Sequence, residues 1–352
     1  MLLYPDWRPR GKACQVLTKR LEWDNVQPWR DVAERIKAGV SMIVALAGGV
    51  GAAKFLRGLV AAIPPETLTI ISNTGDDIEI YGLHISPDID IVAYALSGLV
   101  DEERGWGIQG DTFDCLAMLQ RYGAATWFKL GDRDLATHIL RTQRRRAGQS
   151  LSDITAVFCQ TLGLSVRIVP MCNQPVPSLI RTPAGLFHFQ EYLVQRGGQD
   201  DVQEVIYDGV EQAQPAPGVC EALAQAEAIL LCPSNPVISI GTILAVPGIR
   251  QAVQASPAPV VAVSPIIQGA TLKGPADKML RGLGFEVSAY GVAHYYEGLL
   301  HGLVIDTLDA ALQPRLEDAG LHVAVTNTIM HTLADKQALA CATLALAREC
   351  RS

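Results

Sequence analysis

Residues 42–54 read MIVALAGGVGAAK, and this stretch decides the fold. The uncharged run 43–47 is typical of a buried strand, and the glycines Gly48, Gly49 and Gly51 follow it at once, ahead of an apolar stretch with helical spacing. A strand, a glycine-rich turn and a helix in this order bring backbone N–H groups and the positive end of a helix to one point. The stretch therefore predicts a βα unit that binds a phosphate or a nucleotide.

Two familiar nucleotide motifs do not fit this turn. A Walker A loop needs the pattern GxxxxGK[ST], which is absent here. The dinucleotide fingerprint GxGxxG also fails, because Lys54 stands where the third glycine should be. Glycine lets two backbones approach closely, so a tight turn packed on its helix, without any ligand, stays open as an alternative.

Apolar runs and helical patterns alternate along the rest of the chain. The predicted strands are 43–47, 68–72, 228–232 and 260–263. The predicted helices are 54–63, 112–122, 133–147, 219–227, 276–282 and 333–349. This alternation predicts an α/β fold: a Rossmann-like, three-layer arrangement with a parallel sheet covered on both faces. Residues 165–210 instead hold four strand-like runs, 165–169, 178–182, 186–194 and 202–207, which predict a mostly β insertion.

Composition limits the function. The 352 residues include 29 Lys and Arg against 36 Asp and Glu, a net charge of −7, which argues against a nucleic-acid partner. The 8 cysteines form no CxxC pair, and no apolar run is long enough for a membrane span or a secretory signal, so we expect a cytoplasmic protein. Residues 1–41 carry three tryptophans among dense charges, and we interpret them as an extension without chemistry ahead of one domain, 42–352.

Acidic loops follow the second predicted strand. Asn73-Thr74-Gly75-Asp76-Asp77 comes directly after it, and Asp88 and Asp90 lie a few residues later. Ligands of α/β sheets bind at the carboxyl edge of the strands, where Asp76 should lie beside the glycine turn. Carboxylates beside a phosphate site are a usual way to hold Mg²⁺. Turn stabilisation and helix capping are the alternative for each aspartate, and Asp88 in particular fits an N-cap.

Further polar residues stand at the ends of predicted strands. Lys129 follows a short predicted strand, where an ammonium group could meet a phosphate or a ring carbonyl, although a surface lysine is the alternative. Ser234, Asn235 and Ser264 follow the strands 228–232 and 260–263 at the expected rim of a binding crevice. Neither a Ser–His–Asp pattern nor HExxH is present, so hydrolysis by a serine nucleophile and zinc chemistry have no support.

Together these strings resemble one family. They are GGVGAAKFLRGL (48–59), NTGDD (73–77), ISPDID (85–90), RGWGIQGDTF (104–113), KLGDRDLATH (129–138), HFQEY (188–192), PSNPVISIG (233–241), VSPIIQG (263–269) and KGPADKM (273–279). In this order they resemble the 2-phospho-L-lactate transferase family of coenzyme F420 biosynthesis, including its bacterial members that use phosphoenolpyruvate. The resemblance runs from residue 42 to the end of the chain.

The resemblance implies a homodimeric enzyme that transfers a phospho-acid group, phospholactate or phosphoenolpyruvate, from an acid-diphosphoguanosine donor to the side-chain hydroxyl of the deazaflavin Fo, with release of GMP. It implies that Asp76 and Asp90 bind Mg²⁺ and that Asp90 and Lys129 contact Fo, which makes these three the predicted catalytic residues. The predicted binding residues are Gly48, Gly49, Gly51, Lys54, Asn73, Asp90, Lys129, Ser234, Asn235 and Ser264.

Two rival interpretations remain. A regulatory protein of the gluconeogenesis-factor type, which binds nucleotide sugars, shares the glycine-rich start, but the strings GDRDLATH and HFQE favour the transferase. A Rossmann dehydrogenase would need the third glycine and an acidic residue at the end of the second strand. That strand ends instead in Ser72-Asn73.

Overall fold

The computed structural model describes residues 42–351. The predicted extension, residues 1–41, lies outside the described residues. The strands, in chain order, are β1 (Ile43–Ala47), β2 (Leu68–Ser72), β3 (Ile78–Ile80), β4 (Leu83–Ile85), β5 (Arg167–Pro170), β6 (Ser178–Thr182), β7 (Gly185–His188), β8 (Glu204–Tyr207), β9 (Ala228–Leu231), β10 (Val260–Val263), β11 (Ile266–Ile267), β12 (Ala270–Thr271), β13 (Gly302–Asp306) and β14 (His322–Thr326).

Helices connect most of these strands. They are α1 (Gly49–Ala62), α2 (Pro87–Leu96), α3 (Asp114–Arg121), α4 (Asp132–Arg146), α5 (Leu151–Thr161), α6 (Val219–Ala224), α7 (Thr242–Ala245), α8 (Ile249–Ala255), α9 (Ala276–Gly282), α10 (Ala289–Tyr295), α11 (Gln313–Asp318) and α12 (Leu333–Glu349). Short 3₁₀ segments occupy Pro65–Thr67, Val210–Gln212 and Thr307–Leu312, and π segments occupy Glu191–Gln195 and Pro236–Gly241.

Seven strands form one sheet in the order β14-β13-β10-β9-β1-β2-β5, and all six neighbouring pairs are parallel. The first three strands of this sheet along the chain run outward from β1 in one direction, and the remaining four run outward in the other. The strand order therefore reverses between β1 and β9, which is where an open α/β sheet forms its ligand crevice. The predicted Rossmann-like parallel sheet is confirmed.

Both faces of the sheet are buried. Val44 and Leu46 of β1 belong to the core on one face, and Ala45 and Ala47 belong to the core on the other. The second core is closed by α1, α2 and α12, and α12 packs so closely on α1 that Gly58 leaves no room for a side chain beside the backbone of Lys336. A strand with apolar residues at every position is what two-sided burial requires.

The middle of the chain forms a separate small sheet. The strands β7, β6 and β8 pair antiparallel in that order, which accounts for the runs predicted at 178–182 and 202–207. The first predicted run, 165–169, does not belong to the insertion, because β5 pairs with β2 at the edge of the main sheet. The run 186–194 is only half strand, since it continues into the π segment Glu191–Gln195.

The helix after the glycines begins earlier than predicted. α1 starts at Gly49 rather than at residue 54, so only Gly48 lies outside the helix. Gly49 has a φ of +74°, a left-handed value that favours glycine and that turns the chain from β1 into the helix. Within residues 42–351 no single helix is both long and apolar enough to cross a membrane; one bent pair, Pro236–Ala245 with Ile249–Ala255, has the required length and composition only jointly.

Candidate active site

A cavity of about 770 Å³ opens at the carboxyl edge of the main sheet, around the point where the strand order reverses. Loops after β1, β2, β9, β10 and β14 contribute to its wall. Ten of the predicted site residues line it: Gly48, Gly49, Gly51, Lys54, Asp76, Asp90, Lys129, Ser234, Asn235 and Ser264. Residues spread over more than 200 positions of the chain thus meet in one cavity of the size that holds a small-molecule ligand.

The glycine turn is bonded within the protein. The N–H of Gly48 donates to Oγ of Ser234 at 3.2 Å, and the N–H of Gly49 donates to Oδ1 of Asp88 at 2.8 Å. Gly51 packs against the carbonyl oxygen of Pro233 with no room for a Cβ atom. The glycines therefore join β1 to the loop after β9 by close packing, and the first two N–H groups of the turn are not open to a phosphate.

Gly51→Ala is expected to lower the free energy of unfolding by about 1–3 kcal/mol, the usual cost of forcing extra atoms into a packed contact. The added methyl group would overlap a backbone carbonyl, so the start of α1 and the Pro233 loop must separate. Urea unfolding monitored by circular dichroism measures the change. Unaltered stability would show that the two loops are not held together as the structure places them.

Four aspartates, Asp76, Asp88, Asp90 and Asp134, line the cavity, and Asn73 joins the first two from behind. The amide Nδ2 of Asn73 donates to Oδ1 of Asp76 at 3.0 Å and to Oδ2 of Asp88 at 2.9 Å. Gln190 donates to the other oxygen of Asp76 at 2.9 Å. Asn73 is fully buried and stands behind the residues that line the cavity, where it positions the two carboxylates. Its direct contact with a ligand stays a prediction.

The sequence suggested that Asp88 caps α2, but it does not. Ser86 occupies the N-cap position, and Asp88 lies inside the first turn with its carboxylate directed to the glycine turn. Burial raises the pKa of Asp88 to about 7, against the lowering effect of hydrogen bonds from Asn73 and Gly49. Burial, followed by the charge of Asp88, raises the pKa of Asp76 well above its usual value. Burial therefore disfavours the negative charge on both carboxyl groups in the metal-free protein.

This burial predicts the pH dependence of stability in the metal-free protein. A carboxyl group with a raised pKa binds its proton more tightly in the folded state, so its contribution to stability is complete below pH 3.8 and is lost as the pH rises to about 7. For Asp88 the difference corresponds to roughly 4 kcal/mol. We expect Asp88→Ala to remove this part of the decline in urea unfolding between pH 4 and pH 8. If the free energy of unfolding fell equally in the wild type and in Asp88→Ala, the raised pKa of the buried Asp88 carboxyl would be contradicted.

Asp90 has a different environment, because a buried arginine neutralises it. Arg141 of α4 is only 1% exposed and makes a two-pronged ion pair with Asp90, with one prong joining Nη1 and Oδ2 at 2.9 Å. The same Nη1 lies 3.3 Å from Nδ1 of His138, so this nitrogen accepts and Nε2 carries the proton. Nε2 lies 3.3 Å from Oδ1 of Asp134. Arg141 therefore holds Asp90 in one orientation.

The loop around Lys129 differs from its prediction. No strand forms before Lys129, which is exposed at the cavity mouth next to Phe128. Asp132 does not cap its own helix: its carboxylate accepts from the N–H groups of Asp114 and Cys115 at the start of α3. Asp111 in turn accepts from the N–H groups at the start of α4. This exchange of caps fixes the two helices to each other and sets the position of Lys129.

Several lining residues were not predicted. They are Asp88, Trp106, Phe128, His138, Phe189, Gln190 and Lys273. Some stood in strings that the sequence singled out, such as HFQEY for Gln190 and KGPADKM for Lys273. Asp77, by contrast, does not line the cavity: its Oδ2 accepts from Ser86 at 2.8 Å and lies 2.9 Å from Nε2 of His84, so this aspartate supports the hairpin β3–β4.

Comparisons with known proteins identify the family of this chain. A model of the family described as 2-phospho-L-lactate transferase CofD matches residues 43–337. The chain is 46% identical to a phosphoenolpyruvate transferase of Kitasatospora aureofaciens over 316 residues, which cover 88% of this chain and 98% of that protein. It is 40% identical to a 2-phospho-L-lactate transferase of Methanosarcina mazei over 298 residues, 85% of this chain and 98% of that protein.

Among solved structures, a member of the UPF0052 family from Bacillus halodurans superposes with a TM-score of 0.58 at 15% identity, covering 86% of this chain and 98% of that one. At this identity the likeness shows the shared fold alone. The family match and the close relatives, each spanning nearly the whole described chain, decide the classification. The chain belongs to the 2-phospho-L-lactate transferase CofD family and is an enzyme of the transferase class.

Proposed function

We propose that this enzyme transfers a phospho-acid group, phospholactate or phosphoenolpyruvate, from an acid-diphosphoguanosine donor to the side-chain hydroxyl of the deazaflavin Fo, releasing GMP in coenzyme F420 biosynthesis. One observation carries the proposal: a single cavity at the reversal of strand order is lined by buried carboxylates, by lysines and by an apolar, aromatic wall. A transferase needs both of its substrates in one place, and this cavity offers a polar centre between two different walls.

The apolar wall suits the ring of the acceptor. Trp106, Phe128 and Phe189 line it together with Ile85 and Leu193. Aromatic and branched side chains of this kind pack against flat heteroaromatic rings. Lys129 is next to Phe128 and can meet a polar edge of the ring. Ser234, Asn235 and Ser264, on the loops after β9 and β10, are assigned to the guanosine part of the donor.

The carboxylates fit a divalent cation. Asp76 is buried, and both of its oxygens accept from neutral amides, so no positive side chain balances its charge. Within residues 42–351 no three His, Cys, Asp or Glu side chains converge to hold a metal by themselves. That arrangement suits Mg²⁺, which is usually bound by one or two carboxylates together with substrate phosphates and water. We assign Asp76 as the main ligand, with Asp90 beside it.

When bound, Mg²⁺ would neutralise charge on the donor diphosphate. The protein's own groups do the positioning. Asp90, held in place by Arg141, accepts the hydrogen bond of the acceptor hydroxyl and aims its oxygen at the distal phosphorus. Asn73 and Gln190 keep Asp76 in place. Effective positioning of two reactants accounts for a large part of the barrier reduction in such transfers.

Nucleotide preference tests this proposal against a uridine-sugar regulator. Isothermal titration calorimetry of the purified protein with GDP, UDP and a UDP-sugar, each with Mg²⁺, gives the three affinities. The transferase requires tighter binding of GDP by at least about tenfold, because the base must be selected. Tighter binding of the uridine nucleotides would reject it.

We propose in addition that the enzyme acts as a cytoplasmic homodimer. Light scattering on the purified protein should then give a mass near twice the 37.8 kDa of the chain. A mass equal to that of one chain would reject the dimer without affecting the assigned chemistry.

A further inference from the structure

Two lysines from distant parts of the chain meet at one end of the cavity. Lys54 lies on α1, one turn after Val50, and Lys273 lies between β12 and α9; both line the cavity. A methyl group on Gly105 would lie 3.4 Å from Nζ of Lys273 and 3.8 Å from the side chain of Val50. Residues four apart on a helix share a face, so Val50, Lys54 and the tip of Lys273 form one corner. We call this corner the lysine pair.

The lysine pair is not neutralised by the protein. Within residues 42–351 neither ammonium group makes a hydrogen bond or an ion pair. Glu102, which feels the charge of Lys54, is already paired with Arg57. Partial burial, followed by the charge of Lys54, lowers the pKa of Lys273. Two like charges facing one cavity repel each other, so their placement points to an anionic ligand.

The first two N–H groups of the glycine turn are not open to that anion. The N–H groups of Gly48 and Gly49 are already donated to Ser234 and Asp88. The acidic side chains Asp76, Asp88 and Asp90 of the same cavity offer an anion no positive charge. Three lysines line the cavity, and Lys129 is assigned to the acceptor ring. Among the described side chains that line the cavity, Lys54 and Lys273 are therefore the groups best suited to hold a phosphate that carries full charge.

We propose that the lysine pair binds the terminal phosphate of the leaving nucleoside monophosphate. This assignment rests on the proposed function and adds Lys273 to it. In the transfer, the acceptor oxygen forms a bond to the distal phosphorus and loses its proton to solvent. The bond from that phosphorus to the bridging oxygen breaks, and the bridging oxygen keeps the electron pair. The leaving phosphate gains one negative charge at this moment, and two ammonium groups stabilise it.

Calorimetry without metal tests the site directly. The probes are GMP, guanosine and UMP in the presence of EDTA, titrated into the full-length protein and into Lys54→Met and Lys273→Met. Each variant should bind GMP about tenfold to a hundredfold more weakly, the usual effect of losing one charge-assisted contact, while guanosine affinity stays the same. The matched control is Arg348→Gln, which removes one positive charge from the exposed end of α12 and should leave both affinities unchanged.

The outcomes distinguish a failure of the lysine site from a failure of the proposed function. Equal GMP affinity in the wild type and in both lysine variants, with unchanged thermal unfolding, would overturn the lysine site while leaving the transferase in place. An equal loss of guanosine and GMP affinity would also overturn it, because the lysines would then act on the base or on the fold. A wild-type protein that binds UMP but not GMP would overturn the proposed function and the lysine site with it.

Discussion

Asp76→Ala is expected to reduce turnover by at least about a thousandfold while leaving the protein folded. Asp76 is a buried carboxylate without a positive partner among the described residues, and its removal takes away the main predicted contact to the metal-bound diphosphate. The same burial makes its charge costly in the absence of ligand. Stability should therefore change little, or even rise, when the charge is deleted. Steady-state kinetics and thermal unfolding of the same preparation measure both effects.

The neighbouring acid provides the control. Asp77 is adjacent in sequence, but it does not line the cavity, and its carboxylate contacts His84 and Ser86. Asp77→Asn should keep most of the activity and lose some stability, the reverse of the effect at Asp76. Full turnover in Asp76→Ala would refute the role of this residue, and an equal loss at both positions would show that activity follows general stability.

Arg141→Met is expected to destabilise the protein by about 3–5 kcal/mol, because it leaves the carboxylate of Asp90 buried without a partner. Arg141 is among the largest fully buried side chains, and its guanidinium meets both oxygens of Asp90. Removing both charges should restore most of the stability, so the double variant Asp90→Asn, Arg141→Met is predicted to unfold near the wild-type midpoint in urea. It should remain inactive, since Asp90 is needed to aim the acceptor.

Arg146→Met on the same helix is the matched control. Arg146 is exposed and donates one hydrogen bond to the carbonyl of Gly82, so its loss should cost less than about 1 kcal/mol. Additive effects of the Asp90 and Arg141 substitutions in the double-variant cycle would show that the two groups do not interact, contrary to the ion pair.

Four strands of the sheet, β1, β2, β9 and β10, could be predicted from sequence because they are short, uncharged and followed by recognisable turns. β1 and β2 match their predicted ranges, and β10 does as well. The placement of β5 could not be predicted, since a short strand at a sheet edge resembles a strand of the nearby insertion. β13 and β14 were not predicted, although both are mainly apolar runs of five residues.

The residues of the site also fall into those that the sequence could predict and those that it could not. Positions at strand ends, such as Asp76 and Ser234, follow from the rule that parallel strands end at a common edge. Contacts between side chains distant in sequence do not follow from it. Asp88 resembled a helix cap and Asn73 a ligand contact, and the sequence did not single out Arg141. Their roles depend on hydrogen bonds that only the folded arrangement brings together.

An assay of transfer to the acceptor is the decisive measurement of the proposed activity. The purified protein is incubated with Fo, Mg²⁺ and, separately, the lactyl, enolpyruvyl and glyceryl diphosphoguanosine donors, and the products are separated by liquid chromatography and weighed by mass spectrometry. With at least one donor, the enzyme should form a deazaflavin that carries the phospho-acid and release one GMP per product. The Asp76→Ala variant should form neither. If Fo stayed unchanged with every donor, although the protein was folded and bound GDP, the proposed transfer to Fo would be contradicted.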